Sequence, residues 1–382
     1  MSDPGARVGL VGPGFPNKGG IARHTAVLAQ RLHSAGRLAA FAPWARYRPT
    51  IPSSRTIRLS APEISVDVPT VVGPRWDRPR SWGRTAHQLA ALGGRMAMVV
   101  SSPAQLPAFT AMRSALVERR LHGTSALIVH NVVPHDAGVV GRAMAKRLVR
   151  AGFPLVLHSE PQAAIARGWG AERVVVARLP YHGPSLPMLR SIAEGGRSAR
   201  GAEGGSGEHL RLLFLGFVRP YKGLDVLLEA LRLARGHHRL RVVGEFWTSP
   251  TDVARRIAAL GLEDRVDLRP GYASDHETAA ALADADVLVL PYREATSSQL
   301  PRIAFAAGVP VIASDVGDLG AQVHHGVDGI LVPPKDPERL AGALDRVGTP
   351  GALEALRGGV EHPDPEAEWS AYLDALDRVT QP

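Results

Sequence analysis

Two cations, Arg219 and Lys222, stand in the segment GFVRPYKGLD, just beyond a short apolar run that reads as a buried strand. Cations at the carboxyl end of a strand can clamp a diphosphate and neutralise charge as it grows on a leaving group. The same pair also suits an ordinary solvated loop. A second candidate is Gly19-Gly20, which follows the strand pattern VGLVG and opens an amphipathic helix. Absent side chains there let a phosphate approach backbone N–H groups at the helix N-terminus. Glycines that only close a tight turn read the same way. Gly12-Pro13-Gly14 supplies part of a dinucleotide fingerprint, but the third glycine is out of register. The second strand, LAAFAPW, also ends without the acid that would hold a ribose diol.

The elements that must position these residues form two blocks of alternating strand and helix patterns. The first holds VGLVG, a helix carrying Ile21, Val27, Leu28 and Leu32, then ALIVHN, a helix around Val139 to Leu148, PLVLHS and VVVARL. Residues 43–83, rich in Pro, Arg and Trp, read as long loops. The second block holds LRLLFLG, a helix on Leu224, Leu227, Leu228 and Leu231, then LRVVG, RVDL, VLVLP, VPVIAS and ILVP with helices between them. Residues 194–209, EGGRSARGAEGGSGEH, are too rich in Gly and Ser to bury apolar surface and read as a loose connection. The pattern predicts two α/β, doubly wound parallel-sheet domains of Rossmann-like type, with sites at the carboxyl ends of the strands. Their expected bounds are 1–190 and 210–362, with a linker at 191–209.

Composition sets the outer limits. The chain has 382 residues, 45% of them hydrophobic and 21% charged, which is ordinary for globular protein. It has no cysteine, which excludes disulfides, thiolate metal sites and a cysteine nucleophile. No apolar run approaches the roughly 18 residues of a membrane-spanning helix. The net charge of +9 is uneven, with residues 1–208 carrying +16 and residues 209–382 carrying −7. Arg46, Arg48, Arg55, Arg58, Arg75, Arg78, Arg80 and Arg84 concentrate the excess. A basic half favours an anionic partner: a phospholipid surface, a phosphorylated acceptor or, with no supporting signature, nucleic acid. Solvated, Arg-rich loops are the bland alternative.

Taken together, LLFLGFVRPYKGLDVLLEAL, VVGEFW, ADVLVLPYREATSS and FAAGVPVIASDVGDL…GVDGILVPPKDPERLA resemble the C-terminal domain of family 4 glycosyltransferases, which have the GT-B architecture. In the first half, GFPNKGGIARHTAVLAQRL and VHNVVPHD…LVLHSE are similar to the N-terminal domain of a bacterial branch with an RPYKG loop. The resemblance implies two domains facing each other across a cleft, with a C-terminal segment, residues 365–382, returning to the first. It implies transfer of a sugar from a nucleoside diphosphate to an acceptor hydroxyl, with anomeric configuration retained. The departing diphosphate would help remove the acceptor proton. Lys222 matches the diphosphate-binding lysine, and Gly19 and Gly20 match the glycine loop facing diphosphate and acceptor. His130 and His135 match the region whose histidine contacts the transferred sugar, although each also suits a structural imidazole. His158, Ser159 and Glu160 become candidates for the cleft wall. Gly244, Glu245, Gly271 and Tyr272 fall in the nucleotide-base region.

The chain departs from the family at the donor loop. The arginine usual five positions before the lysine is Phe217 here, with Arg219 the candidate substitute. Two glutamates eight positions apart are replaced by Ala295 and Ile303, leaving the adjacent Glu294 as the only acid in reach. Thr296, Ser297, Ser298, Gln299 and Leu300 complete the loop, their hydroxyls and amides suited to a diphosphate. Asp284 and Asp286 resemble the metal-binding pair of the other large glycosyltransferase architecture, but their place at a helix end favours a structural role. No metal site and no resident cofactor are expected, the nucleotide sugar being a co-substrate. The expected partners are that donor and an anionic or membrane-associated acceptor. The expected location is cytoplasmic, peripheral at the membrane. The rival readings are a catalytically lapsed GT-B scaffold, an epimerase or phosphorylase of the same architecture and, lowest, a nicotinamide dehydrogenase.

Overall fold

The computed structural model describes residues 7–15, 17–44, 64, 66–133, 138–200 and 209–380. The chain divides into two units, Met1–His182 with Pro365–Pro382, and Gly183–Asp364.

The first unit runs β1 (Val8–Gly12), α1 (Gly20–Ser34), β2 (Leu38–Pro43), α2 (Arg80–Gly93), β3 (Arg95–Val100), α3 (Leu106–Glu118), β4 (Ala126–Val129), α4 (Val139–Val149), β5 (Leu155–Leu157), α5 (Glu160–Gly168) and β6 (Val174–Val176). Its described strands form one parallel sheet in the order β2-β1-β3-β4-β5-β6. Strands such as β1, β4 and β5 are apolar and buried throughout, because helices cover both faces of a parallel sheet. The stretch from Arg80 to Glu118, which carries no assigned element in the sequence reading, supplies α2, β3 and α3, and β3 is central. Residues 45–63, with Arg46, Arg48, Arg55 and Arg58, lie outside the described residues, as does His135.

The second unit runs α6 (Leu186–Arg200), β7 (Arg211–Leu215), α7 (Leu224–Leu233), β8 (Arg239–Gly244), α8 (Pro250–Ala259), β9 (Val266–Pro270), α9 (Asp275–Asp284), β10 (Val287–Leu290), α10 (Leu300–Ala306), β11 (Val311–Ser314), α11 (Leu319–Gln322), β12 (Gly329–Val332), α12 (Pro337–Val347) and α13 (Ala352–Gly358). Here the parallel order is β12-β11-β10-β7-β8-β9. The chain is helical through Arg200, whereas composition alone reads residues 194–209 as loose. Residues 201–208 lie outside the described set. α6 packs against α9, and an apolar stripe on Leu189 and Ala193 supports the turns that glycine would otherwise weaken.

α14 (Pro365–Thr380) belongs to the first unit. Its buried stripe, Trp369, Tyr372, Leu373, Leu376 and Val379, joins the core formed by Val8, Leu10, Leu28 and Val156. Trp369 Nε1 donates to Tyr181 O at 2.8 Å, and Arg37 pairs with Asp377 at 3.1 Å.

Candidate functional site

In the second sheet the chain leaves β7 in one direction through β8 and β9 and returns to its other side at β10. That reversal leaves a crevice at the carboxyl ends of β7 and β10, the usual ligand position in such sheets. The loop after β7 is stapled on both flanks. Val218 N donates to Glu245 O at 2.8 Å, Trp247 N to Val218 O at 3.0 Å, and Arg293 N to Tyr221 O at 2.7 Å. Two glycines make this closeness possible. A Cβ on Gly244 would stand 1.8 Å from Gly216 O and one on Gly223 1.9 Å from Pro291 O, each at positive φ.

The cations occupy this loop. Lys222 ends the short turn Pro220–Lys222, directly before the first residue of α7 at Leu224 and its capping Gly223. Its ammonium donates to the Tyr292 hydroxyl at 2.7 Å and lies 4.6 Å from that ring's centroid. Burial lowers the Lys222 pKa, and neighbouring Arg219 adds to the drop against an opposing pull from Tyr221. The Arg219 guanidinium stacks on Trp247, 3.6 Å from the ring centroid, and lies 5.9 Å from Phe217. A half-buried ammonium and a stacked guanidinium beside a helix N-terminus are an arrangement that suits an anion.

Of the residues expected to form a donor loop, Glu294, Thr296, Ser297, Ser298 and Gln299 lie between β10 and α10, and Leu300 opens α10. Ser298 makes a side-chain hydrogen bond to Tyr292, joining this loop to the lysine. Leu300 N donates to Ser298 Oγ at 3.3 Å, and Glu294 is exposed. Ile303 sits on α10, its amide donating to Gln299 O at 2.9 Å. Gly271, at the end of β9, donates its amide to Gly244 O at 3.0 Å, and Tyr272 lies 6.1 Å from Phe217. Thus Gly244, Glu245, Gly271 and Tyr272 line the same edge as Arg219. Sequence reasoning passed over Tyr292 and Trp247, and named Phe217 only as standing where the family has arginine. The only local signal was their place just after an apolar run.

In the first unit, Gly19 caps α1 with φ +100°, and Gly20 is its first, exposed residue. His130, after β4, is buried, and its Nε2 lies 3.2 Å from His24 Nδ1. His158, after β5, and His182 complete a group of rings around His24, closed by Trp369 and Tyr372 of α14. Burial pushes His24 and His130 well below the ordinary histidine range and His158 down to about 4, so all three are neutral near pH 7. Ser159 is buried ahead of α5, and exposed Glu160 pairs with Arg167 at 3.2 Å.

Asp284 and Asp286 lie at the opposite, amino-terminal edge of the second sheet. Arg211 N and Arg357 Nη2 both donate to Asp286 at 2.9 Å, and Arg241 Nη1 donates to Asp284 at 2.7 Å. Burial opposes ionisation of Asp286, but the hydrogen bonds and charges of Arg211 and Arg357 hold its carboxyl below the usual range. Their oxygens are engaged by arginine.

Residues 209–349, which carry this whole clamp, match the family model for glycosyl transferases group 1. A D-inositol 3-phosphate glycosyltransferase from Streptomyces bingchenggensis is 32% identical over 269 residues, 67% of this chain and 58% of that one. The chain belongs to the family 4-like glycosyltransferases of group 1. An enzyme of the same name from Thermobispora bispora is 33% identical over 44% of each chain. This family 4-like chain spans about half the length of the curated relatives it matches. Solved structures show its fold to be GT-B. Anabaena Alr3699/HepE, crystallised with UDP and with UDP-glucose, has TM-score 0.70 at 15% identity over at least 97% of both chains. The catalytic domain of Arabidopsis thaliana starch synthase IV, bound to ADP and acarbose, has TM-score 0.68 at 12% identity, covering 98% and 99%.

Proposed function

We propose that the chain transfers a glycosyl group from a nucleoside-diphosphate sugar to an acceptor hydroxyl, with retention of configuration. The observation that carries this reading is the clamp of Lys222 and Arg219 at the β7–β10 crevice. The group 1 match over residues 209–349 and the UDP and UDP-glucose complexes of the Anabaena neighbour support it. In the reaction the bond between the anomeric carbon and the diphosphate oxygen breaks. The acceptor oxygen bonds to the same face of that carbon, and its proton passes to the departing diphosphate. Lys222, Arg219 and the α7 N-terminus stabilise the charge that grows on this leaving group. The nucleotide sugar is a co-substrate, and no resident cofactor takes part.

A thermal-shift panel of UDP, GDP, ADP and TDP with their sugars tests the reading. At about 100 times its Kd, the matching nucleotide is expected to raise the unfolding midpoint by roughly 5 °C. No shift with any of them would select the rival reading, a lapsed scaffold, which is favoured by Ile303 standing where the family places its ribose-binding glutamate.

The acceptor, in this proposal, is anionic or membrane-associated. The charge of +16 over residues 1–208 supports this, as do relatives named for inositol 3-phosphate. On α4, Val139 and Val140 are exposed beside Arg142, Lys146 and Arg147, with no acid on the helix. Vesicles containing anionic lipid are expected to co-sediment the chain at 0.1 M salt, and neutral vesicles to leave it in solution. Inositol 3-phosphate is expected to be a better acceptor than inositol. Equal sedimentation together with equal transfer to the two acceptors would overturn the charge argument.

A further inference from the structure

Lys222 and Ser298 belong to loops 76 residues apart in sequence, yet both hydrogen-bond one atom, the Tyr292 hydroxyl oxygen. Tyr292 directly follows β10 at Pro291, and its side chain is 2% exposed. The bond from the ammonium and the bond shared with Ser298 set the phenol between the two loops. The ring adds a second constraint, because the ammonium lies 4.6 Å from its centroid. The backbone bond from Arg293 N to Tyr221 O, at 2.7 Å, joins the residues next in sequence, so the two loops cannot separate without breaking both links.

We infer that Tyr292 is the positioning residue of this site: its hydroxyl aims the Lys222 ammonium and couples it to the loop carrying Ser298. The inference rests on the reading of Lys222 as a diphosphate ligand, and it adds the residue that holds that ligand in place. The groups that act on Lys222 are Arg219 and Tyr221 from its own loop and Tyr292 from beyond β10. Within this set the phenol oxygen is an acceptor for the charged lysine. Losing it disfavours the ammonium and adds to the effect of burial.

The test is Tyr292→Phe in the full chain, which keeps the ring and removes the acceptor. The protein has only four lysines, Lys18, Lys146, Lys222 and Lys335. NMR of lysine-labelled protein can therefore follow each side chain separately. Lys222 is expected to titrate below the ordinary lysine range in the wild type and about one pH unit lower still in the variant. UDP, or whichever of GDP, ADP and TDP the wild type binds, is expected to bind the variant about tenfold more weakly. The alkaline loss of binding should begin about one unit lower in pH, a change that loosened packing alone would not produce. An unchanged Lys222 titration in a folded variant overturns the inference. If the wild type binds no nucleotide, the donor reading fails, while the ligand-free titration still decides the role of Tyr292. Should circular dichroism show the variant unfolded, exchange of the Lys222 ammonium protons in the wild type decides it. Protection relative to Lys335 supports the inference, and exchange as fast as that of Lys335 overturns it.

Discussion

Replacing Lys222 with alanine is expected to lower kcat/KM for sugar transfer by about 10²- to 10³-fold, the usual effect of deleting one preset charge at a developing anion. The fold should survive, and the physical reason lies in the cost of the lysine itself. Lys222 is a half-buried cation whose pKa is lowered by desolvation, so removing it relieves part of that penalty. The partner left behind, the Tyr292 hydroxyl, retains its bond to Ser298. Activity loss with an unchanged or slightly raised unfolding midpoint is therefore the signature of a charge held for function. Donor hydrolysis and transfer at wild-type rates in Lys222→Ala would remove the main support for the proposed mechanism. Arg219→Ala should cost less, because its charge is spread over a planar guanidinium that rests on the Trp247 ring.

A second large effect is expected from acid. His24, His130 and His158 are neutral in the folded first unit because burial, reinforced at His24 and His130 by neighbouring imidazoles, disfavours their charged forms. In the unfolded chain each titrates near 6.5. Between that value and the folded one, the unfolded state binds more protons, so stability is full above about pH 6.5 and falls as pH falls. For His158, whose folded value is about 4, the loss amounts to roughly 3 kcal/mol over this window. That is a large part of the ~5–15 kcal/mol that holds a domain folded, and His24 and His130 add to it. Five of the six tryptophans lie in the first unit, so their fluorescence reports on it. The urea midpoint followed in this way should drop steeply between pH 6.5 and 5. His158→Leu should flatten that slope by about one proton. A midpoint constant from pH 7 to 5 would show that the imidazoles are not held neutral by the fold.

The ring cluster also explains why α14 belongs to the first unit. Trp369 stacks on His24 with centroids 5.6 Å apart, and Tyr372 meets the same ring edge-on at 5.3 Å. Neutral imidazoles pack there as flat, weakly polar groups, whereas a charged one would need water. The acid sensitivity of the unit and the seating of its last helix share one cause.

Much of this molecule was legible in its residues. Apolar runs such as VGLVG, LRLLFLG and VPVIAS become β1, β7 and β11, because strands buried on both faces must be apolar throughout. RPYKG falls in the loop after β7, at the edge of the sheet where ligands bind in folds of this kind. Other features were hidden. In α3 apolar residues spread around the helix and periodicity is faint, whereas α2 buries Trp82, Thr85, Ala86, Leu89 and Ala90 on one face that the sequence reading passed over. The partnership of Lys222 with Tyr292, and of Asp284 and Asp286 with arginines from distant segments, depends on β10 lying beside β7. Local periodicity records how each segment buries its own apolar face. Strand order records which loops then meet, and that is settled by the packing of the whole sheet. The sequence alone therefore determined most of the elements, the parallel character of the two sheets and the cations, while tertiary structure decided where α2, β3 and α3 fall, which hydroxyl and rings those cations meet and which histidines are kept neutral.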